Sequence, residues 1–304
     1  MFAKTIQAAL ILSSVLFQST VAGQDETGSE TTNKRETSKP VFMAIDSSPW
    51  RGLTPVRPGR PRFVLYDDRS FVFADKTRYV EGVALQHYRS IRLSEEAYAR
   101  LTSKLIPSDL PKLKPYYKTA PMVTDSPQLI LFYWEKGQMR DIWIGGFCFE
   151  EGFADDDPTV GPGSKSWKDR LARLPKSLSL VVETMMGYEN KNAKPWTPKH
   201  LEIIRTKPVW RGKSAKWPKG LPQTKDIVWR KPEANQYCRG AKAVAKLDGA
   251  MEPHLRRVFG ENPVVYFGDG TATTVRFVFP REEEWMEEWA RQYPPMAIPD
   301  STKE

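Results

Sequence analysis

Three times along this chain, two short apolar runs stand either side of a brief polar connection, and that arrangement commits it to antiparallel sheet. Residues 62–66 and 70–74 flank Asp67-Asp68-Arg69, and residues 129–134 and 138–145 flank Glu135-Lys136-Gly137. Residues 263–267 and 273–279 flank Gly268-Asp269-Gly270, where Asp-Gly supplies the positive φ values that tight hairpins need. Further β segments are expected at 201–206, 226–230 and 242–247.

Helix signals are fewer. Ser94 has the chemistry of an N-cap, Glu95 and Glu96 complement the helix dipole, and Tyr98, Leu101 and Leu105 share a face before Pro107. Leu178, Val181, Val182, Met185 and Met186 fall at helical spacing, and Gly187 suits a C-terminal cap. A short helix is predicted over 252–259, and a charged one over 281–292 with Trp285 and Trp289 on one face. The expected class is therefore α+β, mostly antiparallel β-hairpins with three or four helices.

The N-terminus predicts export. Lys4 precedes an apolar stretch over 6–17, and Thr20-Val21-Ala22-Gly23 offers small residues for cleavage before Gly23 or Gln24. The stretch is shorter than the about 20 residues a membrane span requires. With neither a Cys after the cleavage positions nor a twin-Arg pair before the apolar run, the general secretory route is expected. The organisation predicted is a signal peptide at 1–23, a disordered polar tether at 24–40, and one globular unit at 41–304, in one lobe or two. The localisation expected is secreted or periplasmic, with no transmembrane segment after cleavage.

Export changes the meaning of the charge. The chain carries 46 Lys and Arg against 37 Asp and Glu, a net charge of +9, and cleavage would remove only Lys4 from that balance. Outside the cytoplasm, an anionic polysaccharide or another envelope component is a nearer partner than nucleic acid. A basic protein that is simply soluble accounts for the same composition. In an oxidising compartment the two cysteines, Cys148 and Cys238, are expected to pair. Closing so long a loop could stabilise by about 4–5 kcal/mol. A nucleophilic Cys148 fits less well, because the carboxylates of GGFCFEEG would raise its thiol pKa.

Several segments in order, RFVLYDDRSFVF, LSEEAYARL, KPWTPKHLEI, WPKGLP, AKLDGAMEPHL and VRFVFPREEEW, are similar to a group of exported or membrane-anchored bacterial proteins. These have a leucine-tyrosine-aspartate-glycine hairpin near the start and a proline, acid, tryptophan ending. Here Asp68-Arg69 stands where that group has Asp-Gly. The resemblance spans about 62–285 and implies an α+β fold; the group has no assigned activity.

Candidate sites follow from residue type and spacing. His87, His200 and His254 stand far apart and form no zinc motif. The loop at 150–157 packs five carboxylates into eight residues, and Asp155, Asp156 and Asp157 are a weak calcium candidate. Counted from Asp155, Val160 falls at the turn glycine of an EF-hand and Ser166 at its bidentate Glu, so a solvated acidic loop is the plainer reading. No GxSxG elbow and no phosphate-binding glycine loop is present, and no cofactor is expected. Asp67, Asp68, Asp141 and Glu150 lie near strand ends, which keeps open a hydrolase working through a carboxylate pair on envelope polysaccharide.

The strongest anomaly is 190–232, with twelve Lys or Arg against Glu202 and Asp226. Trp196, Trp210, Trp217 and Trp229 are interleaved with these cations, each beside a Pro or a basic residue. Indoles stack on sugars and cations hold anions, so Trp196, Trp210, Lys213, Trp217, Trp229 and Arg230 form the predicted contact surface. The competing reading is that the indoles anchor Pro-rich loops while the lysines sit in water. The leading expectation is a non-enzymatic exported binding protein; the carboxylate-dependent hydrolase is the alternative.

Overall fold

The computed structural model describes residues 38–47, 60–75, 85–119, 128–147 and 167–206, most of 213–231, 241–259, 265–266 and 272–280, and five positions between 282 and 291. The first half supplies strands β1 (Pro40–Ser47), β2 (Arg60–Tyr66), β3 (Ser70–Ala74), β4 (Tyr88–Arg92), β5 (Tyr116–Lys118), β6 (Gln128–Glu135) and β7 (Gln138–Gly145). The second supplies β8 (Lys194–Pro195), β9 (His200–Thr206), β10 (Lys213–Ser214), β11 (Ala241–Asp248), β12 (Val265–Tyr266) and β13 (Ala272–Val278). The described helices are α1 (Glu95–Leu105), α2 (Trp167–Leu171), α3 (Lys176–Gly187) and α4 (Glu252–Phe259).

Two sheets result: eight strands in the order β5-β7-β6-β1-β2-β3-β4-β8, and five in the order β10-β12-β13-β9-β11. Apart from the parallel pairs β5–β7 and β10–β12, the pairings are antiparallel. The class is α+β.

The layering follows from β1, whose Phe42, Met43, Ala44 and Ile45 are all 0% exposed. Successive side chains on a strand point to opposite faces. Phe42 and Ala44 accordingly share a core with Leu101 and Leu105 of α1 and Leu178, Val181, Val182 and Met185 of α3. Met43 and Ile45 share one with Leu201, Ile203, Ala245, Leu247, Val275 and Phe277 of the second sheet. A helical layer, the large sheet and the small sheet are thus stacked in that order. A central strand covered on both faces reads as an unbroken apolar run rather than an alternation.

The expected hairpins are present. Lys136 and Gly137, with φ of 52° and 80°, make the two-residue turn between β6 and β7. Asp68 supports the turn between β2 and β3, its Oδ1 accepting from Ser70 N at 2.9 Å and its Oδ2 from Ser70 Oγ at 2.7 Å. Ser94 Oγ accepts from Ala97 N at 3.2 Å, so the predicted N-cap of α1 is real.

Several expectations are corrected. The tether was placed at 24–40, yet β1 starts at Pro40, Ser38 is buried, and Lys39 N donates to Asp67 Oδ1 at 2.9 Å. Residues 226–230 form turns and a single bridge between Arg230 and Val244 rather than a strand. Gly187 is the last residue of α3, and the extended Tyr188 is its C-cap. The described positions of the predicted C-terminal helix, Glu282, Glu284, Glu287, Glu288 and Arg291, are helical.

Helix α4 ties the layers together. Arg256 Nη1 donates to Leu85 O at 2.6 Å and Nη2 to Gln86 O at 3.3 Å, while Nε pairs with Glu252 one turn earlier. One guanidinium on the second half thereby holds the backbone that leads into β4 of the first.

Candidate functional site

The basic, Trp-rich segment begins as part of the large sheet. Lys194 and Pro195 pair with Ser90 and Arg89 of β4, and Trp196 N donates to Tyr88 O at 2.9 Å. This puts the Trp196 indole between the sheets, where it is 8% exposed and stacks on Phe279 at 4.9 Å. Tyr88 and Phe277 meet it edge-on at 5.7 and 5.8 Å. Trp196 is therefore a core residue, and both its face and its edges are engaged by protein.

The next indoles are also anchors. Trp217 is half-buried against the inter-sheet core, and its Nε1 donates to Pro222 O at 2.9 Å across the WPKGLP loop. Gly220, at φ +93°, lies so close to His254 that a Cβ would fall 2.6 Å from the ring. Trp229 packs on the same core and carries the Arg205 guanidinium 4.1 Å from its ring centre. Trp210 lies outside the described residues. Lys213 is placed in β10 opposite Val265.

Arg230 is different, since 55% of its side chain is exposed. It reaches back to Glu202 Oε1 at 3.7 Å, at the margin of a buried charge cluster on the outer face of the small sheet. Glu202 on β9 stands directly opposite Arg276 on β13 and Lys246 on β11. Arg276 Nε and Nη2 donate to Glu202 Oε2 at 2.9 and 2.5 Å, and Nη1 donates to Glu282 Oε1. Glu282 Oε2 also accepts from Phe279 N at 2.9 Å, which fastens the C-terminal helix to the sheet. Glu202 and Glu282 are 1% and 3% exposed, so both carboxylates depend on these partners for solvation lost on folding. The sequence reading missed this cluster. Its signal was a Glu between Leu201 and Ile203 and an Arg between Val275 and Phe277, charges set among apolar strand neighbours.

The cations of the segment lie outside. Lys191, Lys194, Lys199, Lys216, Lys219, Lys225 and Lys231 are all exposed, as are Lys242 and Lys246 on β11. The described indoles and the lysines have thus separated, indoles inward and ammonium groups outward.

A groove of about 630 Å³ runs along the edge of β7, beyond the three residues that β5 covers. Glu135, Asp141 and Glu288 line it together with Tyr133 and Arg140. Asp141 Oδ2 accepts from Trp143 Nε1 at 2.5 Å, and Glu288 accepts from Met139 N at 2.9 Å and from Trp134 Nε1 at 3.4 Å. Burial holds the Tyr133 phenol above its ordinary pKa, and Glu135 pushes it the same way. Asp67 and Asp68, which the sequence offers beside Asp141 as carboxylates near strand ends, belong to the β2–β3 turn. Three strand steps separate β7 from β2, about 14 Å of sheet, wider than a glycosidase pair.

Among the described residues no group of three or more His, Cys, Asp or Glu could hold a metal. Asp155, Asp156, Asp157 and Glu150, like Cys148 and Cys238, lie outside the described residues. No described helix is long and apolar enough to cross a membrane. No family model, no curated protein and no solved structure matches the chain.

Proposed function

We propose that this is a non-enzymatic, exported protein whose basic segment contacts an anionic envelope polymer or an acidic partner. The observation that carries the proposal is the outward array of Lys216, Lys219, Lys225, Arg230 and Lys231 within a single connection after β10. Trp217 and Trp229 hold that connection on the core, so the cations are displayed from an anchored loop. The recognition is then chiefly electrostatic rather than indole stacking, because the described tryptophans are occupied by packing. Export through the predicted signal peptide and a Cys148–Cys238 bridge belong to the same proposal. Thiol titration of the secreted protein under denaturing, non-reducing conditions checks the bridge.

The test is binding to polygalacturonate and heparin over a range of salt. Affinity should fall steeply with ionic strength, and the triple change Lys216→Glu, Lys219→Glu, Lys225→Glu should weaken it by about tenfold or more. Binding to no anionic polymer, or salt-independent binding, would end the proposal.

The groove beside β7 favours a second reading, a hydrolase of envelope polysaccharide using Glu135, Asp141 or Glu288. Asp141 and Glu288 each accept hydrogen bonds from the protein's own N–H groups, which gives both a structural use. Release of reducing ends from a polysaccharide panel, abolished by Asp141→Asn or Glu135→Gln, would establish the enzyme over the binder.

A further inference from the structure

A second groove lies on the helical face of the large sheet, between α1 and α3, and no part of the proposed function uses it. Its volume is about 380 Å³, within the range of small-molecule sites. The floor is apolar, made by Leu93, Ala97, Leu101 and the ring of Tyr188. That ring is fixed edge-on against Phe71 and Phe73 at 4.8 and 5.0 Å, so the floor is rigid.

The walls carry opposite charges. Arg100 and Lys104 stand one turn apart on the α1 wall, a like-charge pair on one helix face. Glu183 of α3 stands on the other wall. All three are exposed, and among the described residues none of them has a side-chain hydrogen bond or ion pair. The groove thus presents two unmatched cations and the unmatched Glu183 around an apolar floor, with Glu189, which has a partner of its own, also on its lining. Gly187 keeps it open at one end, since a Cβ there would meet nothing within 4 Å.

We propose that this groove binds a zwitterion, the ammonium and carboxylate ends of an amino acid or short peptide. The ligand's carboxylate lies against Arg100 and Lys104, its ammonium against Glu183, and its side chain on Leu101 and Tyr188. Charge complementarity at both ends rejects compounds carrying only one of the two groups.

The experiment is amide-resolved NMR titration of the whole protein with L-leucine, with L-alanyl-L-leucine, and with N-acetyl-L-leucine amide. Shifts confined to residues 93–104 and 183–190 with either zwitterion, and absent with the blocked compound, are the expected result. Whether the free amino acid or the dipeptide binds tells which source the site serves. Lys104→Gln and Glu183→Gln should each raise the Kd by about tenfold. Gly187→Phe should abolish binding without lowering the circular-dichroism melt, because its Cβ enters open space. Shifts by neither zwitterion, equal shifts by the blocked compound, or unchanged affinity in the charge variants would overturn the proposal. None of these outcomes depends on polymer binding by the basic segment.

Discussion

Glu202 and Arg276 face each other across the middle of the small sheet, joined by two hydrogen bonds of 2.9 and 2.5 Å to a single carboxylate oxygen. The pair lies on the outer face, yet Glu202 is 1% exposed, so the arginine replaces most of the water the carboxylate would otherwise have. Arg276 also pairs with the buried Glu282, so one cation serves two carboxylates. Removing it takes from both carboxylates their closest cation, leaving Glu202 with Arg230 at 3.7 Å and Glu282 with Phe279 N. Arg276→Met should lower unfolding stability by about 3–5 kcal/mol. Adding Glu202→Gln to that variant should restore part of the loss, and a denaturant double-mutant cycle reads the coupling. A loss below about 1 kcal/mol would show that water already solvates the cluster.

Gly249 follows the end of β11, and its N–H donates to Lys199 O at 2.8 Å. A Cβ placed there would fall 1.6 Å from Pro198 O. The obstacle is backbone and cannot swing aside, unlike the end of a side chain. Gly249→Ala should therefore destabilise by about 3 kcal/mol or more, beyond ordinary overpacking. Gly187→Ala, with open space around its Cβ and a helical backbone, should instead stabilise by about 0.5–1 kcal/mol. Thermal melts of the two variants should move in opposite directions.

These contrasts show what the sequence made legible. The hairpins at 60–74 and 128–145, the Ser94 cap and the apolar stripe of α3 are local patterns, decided by residues a few positions apart. Strand β1 gives no such local signal, because PVFMAIDS has no alternation once both its faces are covered. Both faces being covered is a property of the stacked layers. The four tryptophans posed the converse problem. Trp196 beside Pro and Lys fits either a contact surface or an anchor in the core, and the Trp196 N–Tyr88 O bond, which carries the indole inward, decides for the anchor. Glu202 and Arg276 are brought together by cross-strand register, which is a long-range property, and Glu282 joins them from the helical segment after β13.

Arg256 spans the two halves through Leu85 O and Gln86 O, and truncating it removes both bonds together with its pairing to Glu252. Arg256→Leu keeps the aliphatic stem and helix propensity, so the loss should reflect the polar contacts alone. The expected cost is about 2–3 kcal/mol, since hydrogen bonds from a charged donor are worth more than neutral ones. Hydrogen exchange should speed up around residues 85–92 and 252–259 while β1 and β6 keep their protection. Uniform acceleration across both sheets would show that the docking of α4 is part of one global unit.

Tyr133 and Tyr188 are two phenols through which alkali should lower stability. Burial raises both phenols above the ordinary 10.0, and Glu135 adds to the effect at Tyr133. A raised phenol pKa means the folded state holds its proton more tightly than the unfolded chain. Their contribution is therefore complete below pH about 10 and is lost as pH climbs from there towards the folded-state values. Stability measured by urea unfolding should decline across that window. Tyr133→Phe and Tyr188→Phe keep the packing and remove the ionisable hydroxyl, so each should flatten the decline, and together they should flatten it further. A profile unchanged in both variants would place the alkaline sensitivity elsewhere, first in Tyr98, whose phenol is raised by burial too.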